Sequence, residues 1–458
     1  MAHGHVDLSH EITRLKPANK TLGLGLMAVG VAGIIAAFFA SGGDHRRFWF
    51  AYLFGLAAAM AISAASLIFV MVNHLVRAGW ITNVRRILEA MALQLVLVLI
   101  LTLPLVVLGL MKPTVTVNVP QEDGSTKPET QALVYSWDRA SNTPLAPEVK
   151  NPSQLESTTA KYPNEQVQPG ASRAFNEVIA EKTHSWLMPW FWAARVTIML
   201  IAMAAMAWWY YSQSVKQDLT GDIDISARLS EVAGPLVVAA GLIVTFLGFD
   251  LYMSLDPMWV STMYGIYYFA SGTLAMWSFL ALAILVLQNR GYLKQSVGVE
   301  HRHDIGKFQW AFIFFWTYAG FGQYMLQWYA NLPEETFWYD KRGYTTAHAT
   351  GYSPIVLALL FGRFVLPFLG LVSRHAKRNR FGQAFWSVWL LAFFFVDMYL
   401  LVIPEESYSP LFAAPEILAA GGIAVLWLGS FLRTLASAEL RPIADPRVHE
   451  SLASANLV

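Results

Sequence analysis

The stretch FLGFDLYMSLDPMWVSTMYGIYYFASG, Phe246 to Gly272, decides how this chain folds. An apolar run ends with a carboxylate, Asp250, still inside it; Asp256-Pro257 then makes a tight turn, and a second apolar run starts at once. Two long apolar runs joined this closely read as a re-entry hairpin. An ionisable group inside hydrocarbon is costly enough that it marks a functional site by default, and its partner has to be found.

Composition sets the class. With 458 residues, 55% of them hydrophobic and 14% charged, and a mean hydropathy of +0.43, the chain is too apolar for an ordinary soluble domain. It reads as an all-α polytopic membrane protein, with lipid as its surroundings. Lys+Arg 32 against Asp+Glu 31 leaves no basic surface for nucleic acid, and no glycine-rich phosphate loop stands out. Zero cysteines exclude disulfides, iron–sulfur ligation by this chain and covalent haem attachment. None of the eleven histidines lies well inside an apolar run, which argues against a bis-His haem within the membrane. No redox cofactor or metal is therefore expected on this chain. The N-terminus, MAHGHVDLSHEITRLKP, lacks the apolar core of a signal peptide and reads as a mobile tail.

Runs of about 20 residues, enough to span a bilayer, fall near Leu22 to Ala40, Phe50 to Val72, Leu88 to Met111, Leu187 to Tyr211, Val232 to Ser254, Thr262 to Leu287, Phe308 to Ala330, Pro354 to Val372, Ala384 to Ile403 and Ala413 to Leu435. They predict ten helices: a tail over 1–21, helices one to three over 22–111, an external loop over 112–186, helices four to ten over 187–435 and a second tail over 436–458. Cations fix the orientation, because short cytoplasmic segments keep the excess of Lys and Arg. One side collects clusters such as Arg77, Arg85, Arg86 and Arg374, Lys377, Arg378, Arg380, whereas the opposite short loops hold only Arg46, Arg47, Lys341 and Arg342. Both termini are thereby placed in the cytoplasm. The segment Lys112 to His184 is long enough to cross regardless of its charge. Without a strong strand or helix period it reads as an irregular external cap, or as a linker. The small residues of AAAMAISAAS, Ala57 to Ser66, suit close helix packing.

Depth can be counted along each helix at ~1.5 Å per residue. Asp250 lies about one turn, Asp397 about two turns, below the outer ends of helices five and nine, and Arg195 about two turns inside helix four. The three are expected in one layer, with Glu416 at the start of helix ten, Gln323 and Gln327 on helix seven, and Arg363 as the one deep charge. Arg195 is expected to contact one aspartate and leave the other free to exchange protons, with Tyr252 or Tyr399 as a hydroxyl relay and Arg363 as the alternative partner. The competing reading is a buried ion-pair network that only fixes packing. Asp256 suits turn chemistry, with helix capping by Asp256, Ser261 or Thr262, while Glu334 and Glu335 read as solvated. A local pattern recurs: Asp250-Leu-Tyr252 precedes Pro257, and Asp397-Met-Tyr399 precedes Pro404, which raises internal duplication.

FDLYMSLDPMWVSTMYG followed by HDIGKFQWAFIFFWTYAGFGQYMLQWYANLPEET resembles the NrfD-like membrane subunits of alternative complex III, a bacterial quinol:electron-acceptor oxidoreductase. The YANLPEET ending and the long external loop look like the ActF-type subunit. This resemblance implies two four-helix bundles plus two further helices in the bacterial inner membrane. It also implies assembly with a paralogous NrfD-like subunit, a periplasmic iron–sulfur subunit and haem c subunits. In that family quinol oxidation is assigned to the paralogous subunit, through a His and an Asp near the periplasmic face. Here the third helix has no histidine, and His184 is the one histidine close to the mouth of helix four. The implied role is then structural, with proton conduction or quinol contact at the carboxylate layer. Two other classes compete. A secondary transporter would carry helices broken by Gly or Pro near the midplane, whereas the clearest prolines here sit at helix ends; a pure scaffold subunit would tolerate loss of the carboxylates.

Overall fold

The structure, a computed structural model, describes residues 11–120, 126–135, 181–344, 351–407 and 409–453. Ten long helices make up the body: α1 (Ala18–Ala40), α2 (His45–Leu75), α3 (Thr82–Met111, broken at Leu93 and Gln94), α4 (Pro189–Thr220), α5 (Asp224–Leu251), α6 (Tyr264–Asn289), α7 (Val299–Ala330), α8 (Ser353–Gly370), α9 (Arg380–Val402) and α10 (Ala414–Leu435). Among the described residues nine of them are long and apolar enough to cross a membrane. The tenth, α7, is 32 residues long but opens with Glu300, Arg302, Asp304 and Lys307 and carries Gln309, Gln323 and Gln327 farther along. The chain is an all-α polytopic membrane protein.

Helix α2 is the axis. It is apolar all round and 94% of its membrane window is buried, as expected of a helix with neighbours on every side. Helices α2 to α5 close one four-helix ring and α6 to α9 a second; α2 also lies against α6 and α9 and so joins the two. The AAAMAISAAS stretch does what small residues do: a Cβ on Gly272 of α6 would sit 2.5 Å from the Ala61 carbonyl oxygen, so only glycine permits the approach. Helix α1 lies along α10 in the same way, since a Cβ on Gly30 would meet the Leu426 nitrogen at 2.5 Å. This pair flanks the first bundle through α10 and α2.

Among the described residues, the segment from Glu11 to Thr13 and the segment that follows α10 lie together. Leu440 donates its amide to the Thr13 carbonyl at 2.6 Å, and Arg441 pairs with Glu11 at 3.2 Å. Glu11 also accepts the amides of Gln295 and Ser296, at 2.9 and 2.8 Å. Arg85 and Arg86, counted above among the cations that set the orientation, are buried beside this strap. Arg85 bonds Asp445 at 2.6 Å and Arg86 bonds Asp218 at 2.6 Å, and both reach Glu89 at 3.1 Å. Burial would raise the Asp445 carboxyl, but Arg85 and Arg447 outweigh it and hold it below the usual carboxylate range.

The opposite end corrects the irregular-cap reading. Thr114–Pro120 (β1) and Thr126–Ala132 (β2) pair antiparallel, with Val117 opposite Glu129. The alternation in TVTVNV is the period-two signal of that strand. Leu133, Val134 and Tyr135 then return onto the bundle and are buried. Residues 136–180, the greater part of the expected loop, lie outside the described residues, as do the histidines His3, His5 and His10.

Candidate functional site

Helix α5 ends in a 3-10 turn, Met253–Leu255, and the Ser254 hydroxyl bonds back to the Asp250 carbonyl at 2.6 Å. The Asp256 carboxylate accepts the Met258 amide at 3.1 Å, the turn chemistry expected of Asp-Pro. Burial, and after it the neighbouring Glu405 charge, push the Asp256 carboxyl up. Helix capping by Ser261 or Thr262 is not seen: α6 has no side-chain cap, and the Ser261 hydroxyl donates instead to Gln323 at 2.9 Å. Gln327 bonds both Trp259, whose indole donates at 2.9 Å, and the Val260 carbonyl, at 3.1 Å. Both glutamines thus hold the re-entry hairpin.

The hairpin presents Asp250, which is fully buried, to Arg195 one helix away. The guanidinium clasps the carboxylate with two bonds of 2.7 Å, from Nε to Oδ2 and from Nη2 to Oδ1. The Trp186 indole adds a third at 3.1 Å, and the Arg195 guanidinium stacks 3.8 Å above the same indole. A planar fork on a carboxylate is the strong form of this contact. Tyr135, brought back by the hairpin β1–β2, packs on Trp192 at 5.0 Å and closes the outer side.

Asp397 is not the free carboxylate expected. Arg363 on α8 pairs with it at 2.5 Å, the Ser271 hydroxyl donates at 2.6 Å, the Trp316 indole at 3.2 Å, and Tyr267 donates to its other oxygen. Arg363, also fully buried, donates further to the Ser271 hydroxyl at 2.8 Å and lies 4.5 Å over Trp316. The local backbone explains why a mid-helix arginine reaches inward. Pro367 has no N–H to give the Arg363 carbonyl, and the helix widens to a π-turn over Leu360–Val365. That break corrects the reading that the clearest prolines stand only at helix ends; Pro104 and Pro235 also lie inside their helices.

The expected layer is therefore two separate pairs. Each sits in its own bundle, with the arginine on the third helix and the aspartate on the fourth: α4 and α5 in the first, α8 and α9 in the second. The shared order gives the suspected duplication a structural counterpart. The remaining candidates fall elsewhere. Tyr252 directs its hydroxyl to the Met60 sulfur at 3.9 Å and packs at a tilt against Tyr268, ring centroids 5.1 Å apart, and the Tyr399 hydroxyl bonds the Leu411 carbonyl at 2.8 Å. Neither is bonded to an aspartate; Tyr267 occupies that place. Glu416 accepts the Ala413 amide at 2.9 Å and takes a fork from Arg47 at 2.6 and 3.0 Å, so it caps α10 and ties it to α2.

Sequence reasoning missed the partners that complete these sites. Glu405 is held by Lys341 at 2.7 Å and Arg342 at 2.8 Å; Arg342 also donates to the carbonyls of Leu400 and Leu401 near the end of α9. The R-R-x-x-E spacing of Arg85, Arg86 and Glu89 was a legible signal, since residues three and four apart share a helix face. Nothing local marks Tyr267, Ser271 and Trp316 as ligands of Asp397. Among the described residues no group of His, Asp and Glu is placed to hold a metal ion. Compared with known proteins, the chain matches no family model and no curated protein sequence.

Proposed function

We propose that this chain is an ActF-type integral membrane subunit of a bacterial quinol:electron-acceptor oxidoreductase of the alternative complex III kind. It sits in the inner membrane with both termini cytoplasmic. It supports assembly beside a paralogous NrfD-like subunit, with the iron–sulfur clusters and haem c on partner subunits, and quinol is a candidate ligand at its outer carboxylates. The two quoted motifs support the reading, and the arrangement of two four-helix rings flanked by α1 and α10 agrees with it. The observation that carries the functional half is the buried arginine–aspartate pair in each ring, since ionisable groups inside a membrane are retained for pathways or for switching.

A line of polar groups continues inward from Asp397 and Ser271. Gln309 of α7 donates to Ser278 at 3.2 Å and to Ser387 at 2.9 Å, and Gln383 donates to the Arg302 carbonyl at 2.8 Å. The apolar residues Leu274, Ile313, Leu371 and Leu390 cluster in the same bundle. Leu274 stands on α6 between Ser271 and Ser278, so proton movement along this line needs water to enter there. One observation favours a scaffold reading: both carboxylates are fully bonded by fixed donors, the arrangement that locks helices together.

Gentle purification that brings down haem c and iron–sulfur subunits with this chain is the result expected; recovery of the chain alone overturns the assembly. Turnover per assembled complex in Asp250→Asn and Asp397→Asn separates the two roles. Slowed or uncoupled turnover is expected of proton conduction, and full activity with normal proton release leaves the scaffold reading.

A further inference from the structure

A short helix, Arg374–Arg378, joins α8 to α9 and packs on α7. It brings Arg374, His375, Lys377, Arg378 and, from the start of α9, Arg380 into one corner. A shallow pocket there is lined by Arg374, His375, Arg378 and Asn379. Carboxylate is scarce around it. Glu300 takes Arg378 at 2.6 Å, and Arg380 is bonded to an amide oxygen, that of Asn289, at 2.6 Å. Behind them lies Arg302, buried, whose guanidinium reaches the Gln288 amide oxygen at 3.4 Å while its Nε is buried with no hydrogen-bond partner. Arg378 and Arg380 are close enough to Arg302 to repel its charge. Such a cluster of cations calls for an anion.

The neighbouring surface says which kind. Leu369 and Val372 at the end of α8, and Phe381 and Phe385 at the start of α9, are exposed apolar side chains next to the cations. Phe381 is 79% exposed, and a bilayer's hydrocarbon would cover it favourably. A cationic pocket rimmed by outward-facing hydrocarbon matches a molecule with an anionic head and acyl chains. A free phosphate would use the first half of that surface and leave the second unused.

We propose that this corner between α7, α8 and α9 binds the phosphodiester headgroup of an anionic phospholipid, with Arg374 and Arg378 on the phosphate and the acyl chains along Leu369, Phe381 and Phe385. Basic pockets between membrane helices take such headgroups by charge and by donated hydrogen bonds. The site is independent of any redox role, and it stands or falls on the membrane architecture alone.

The test uses the full chain in nanodiscs of phosphatidylcholine with a minor share of phosphatidylglycerol, followed by native mass spectrometry of the lipid retained after detergent exchange. Phosphatidylglycerol is expected to be retained preferentially, and Arg374→Gln to weaken retention about five-fold, the effect of one surface cation. Arg374→Gln/His375→Gln leaves the Arg378–Glu300 pair intact and guards against a folding defect. Lys216→Gln, an exposed cation at the same end, serves as the control and is expected to retain lipid as the wild type does. Equal retention in wild type, Arg374→Gln and Lys216→Gln overturns the proposal. Displacement of the lipid by millimolar inorganic phosphate overturns it in favour of a free-anion site. Loss of the lipid on assembly with partner subunits overturns it in favour of a protein contact.

Discussion

Asp397→Asn and Asp250→Asn remove the same charge from two sites that the structure makes unequal. At Asp397 the amide has one comfortable orientation. Its NH2 can face the Tyr267 hydroxyl, which turns to accept, while its oxygen keeps the bonds from Arg363, Ser271 and Trp316. Hydrogen bonding survives and charge does not, so Arg363 is left as an uncompensated cation with 0% exposure. Breaking a buried pair in this way costs about 3–5 kcal/mol. At Asp250 the stranded cation fares better. The Arg195 side chain is 12% exposed near the start of α4, stacks on Trp186 at 3.8 Å and donates to the Trp186 carbonyl at 3.1 Å. Its charge keeps these two contacts, and the cost should be that of a lost charged hydrogen bond, about 1.5–3 kcal/mol. Unfolding in mixed micelles of increasing SDS fraction, followed by tryptophan fluorescence, ranks the two. Asp397→Asn should unfold first. Arg363→Met/Asp397→Leu should recover much of the loss, because apolar replacement of a whole buried pair is often neutral. If Asp397→Asn is no worse than Asp250→Asn, or the double variant no better than the single, the Arg363 charge does not depend on Asp397 for its burial.

Sidedness is checked on a background with no native cysteine: Ser437→Cys should react with an impermeant maleimide only from the cytoplasmic face, and Ser409→Cys only from the opposite face. The reverse pattern overturns the orientation. Glu406, at the loop end, is pushed up to about 7, first by burial and then by Asp44, against the pull of Arg46 at 2.6 Å. A carboxyl raised in the folded state contributes stability that is complete below its unfolded value of 4.5 and is lost as pH rises through about 7. Thermal stability measured from pH 5 to 8 should therefore fall less steeply in Glu406→Gln than in the wild type, and parallel curves would show that the carboxyl is already ionised throughout.

The sequence by itself determined the class, the ten long helices and the residues that carry charge into the membrane. Those follow from local quantities: twenty apolar residues match a bilayer's thickness whatever they pack against, and a lone Asp in such a run is visible without a partner. It also showed the small residues of α2, although not which helices would use them. The tertiary structure alone decided pairing. Asp250 and Asp397 look alike along the chain, yet one is clasped by Arg195 with Trp186 and the other by Arg363 with three neutral donors from α6 and α7. Depth counted along separate helices leaves the pairing open, because a rise per residue carries no information about tilt or rotation. Arg363 points inward from a π-turn ahead of Pro367, a break that the apolar run does not announce. Arg85 and Arg86 belong to the cation clusters that set the expected orientation and are nonetheless buried, since their carboxylates arrive from Asp218, near the end of α4, and Asp445, in the C-terminal strap. Composition fixes what each segment can tolerate; which partner satisfies it is settled only when distant segments fold onto one another.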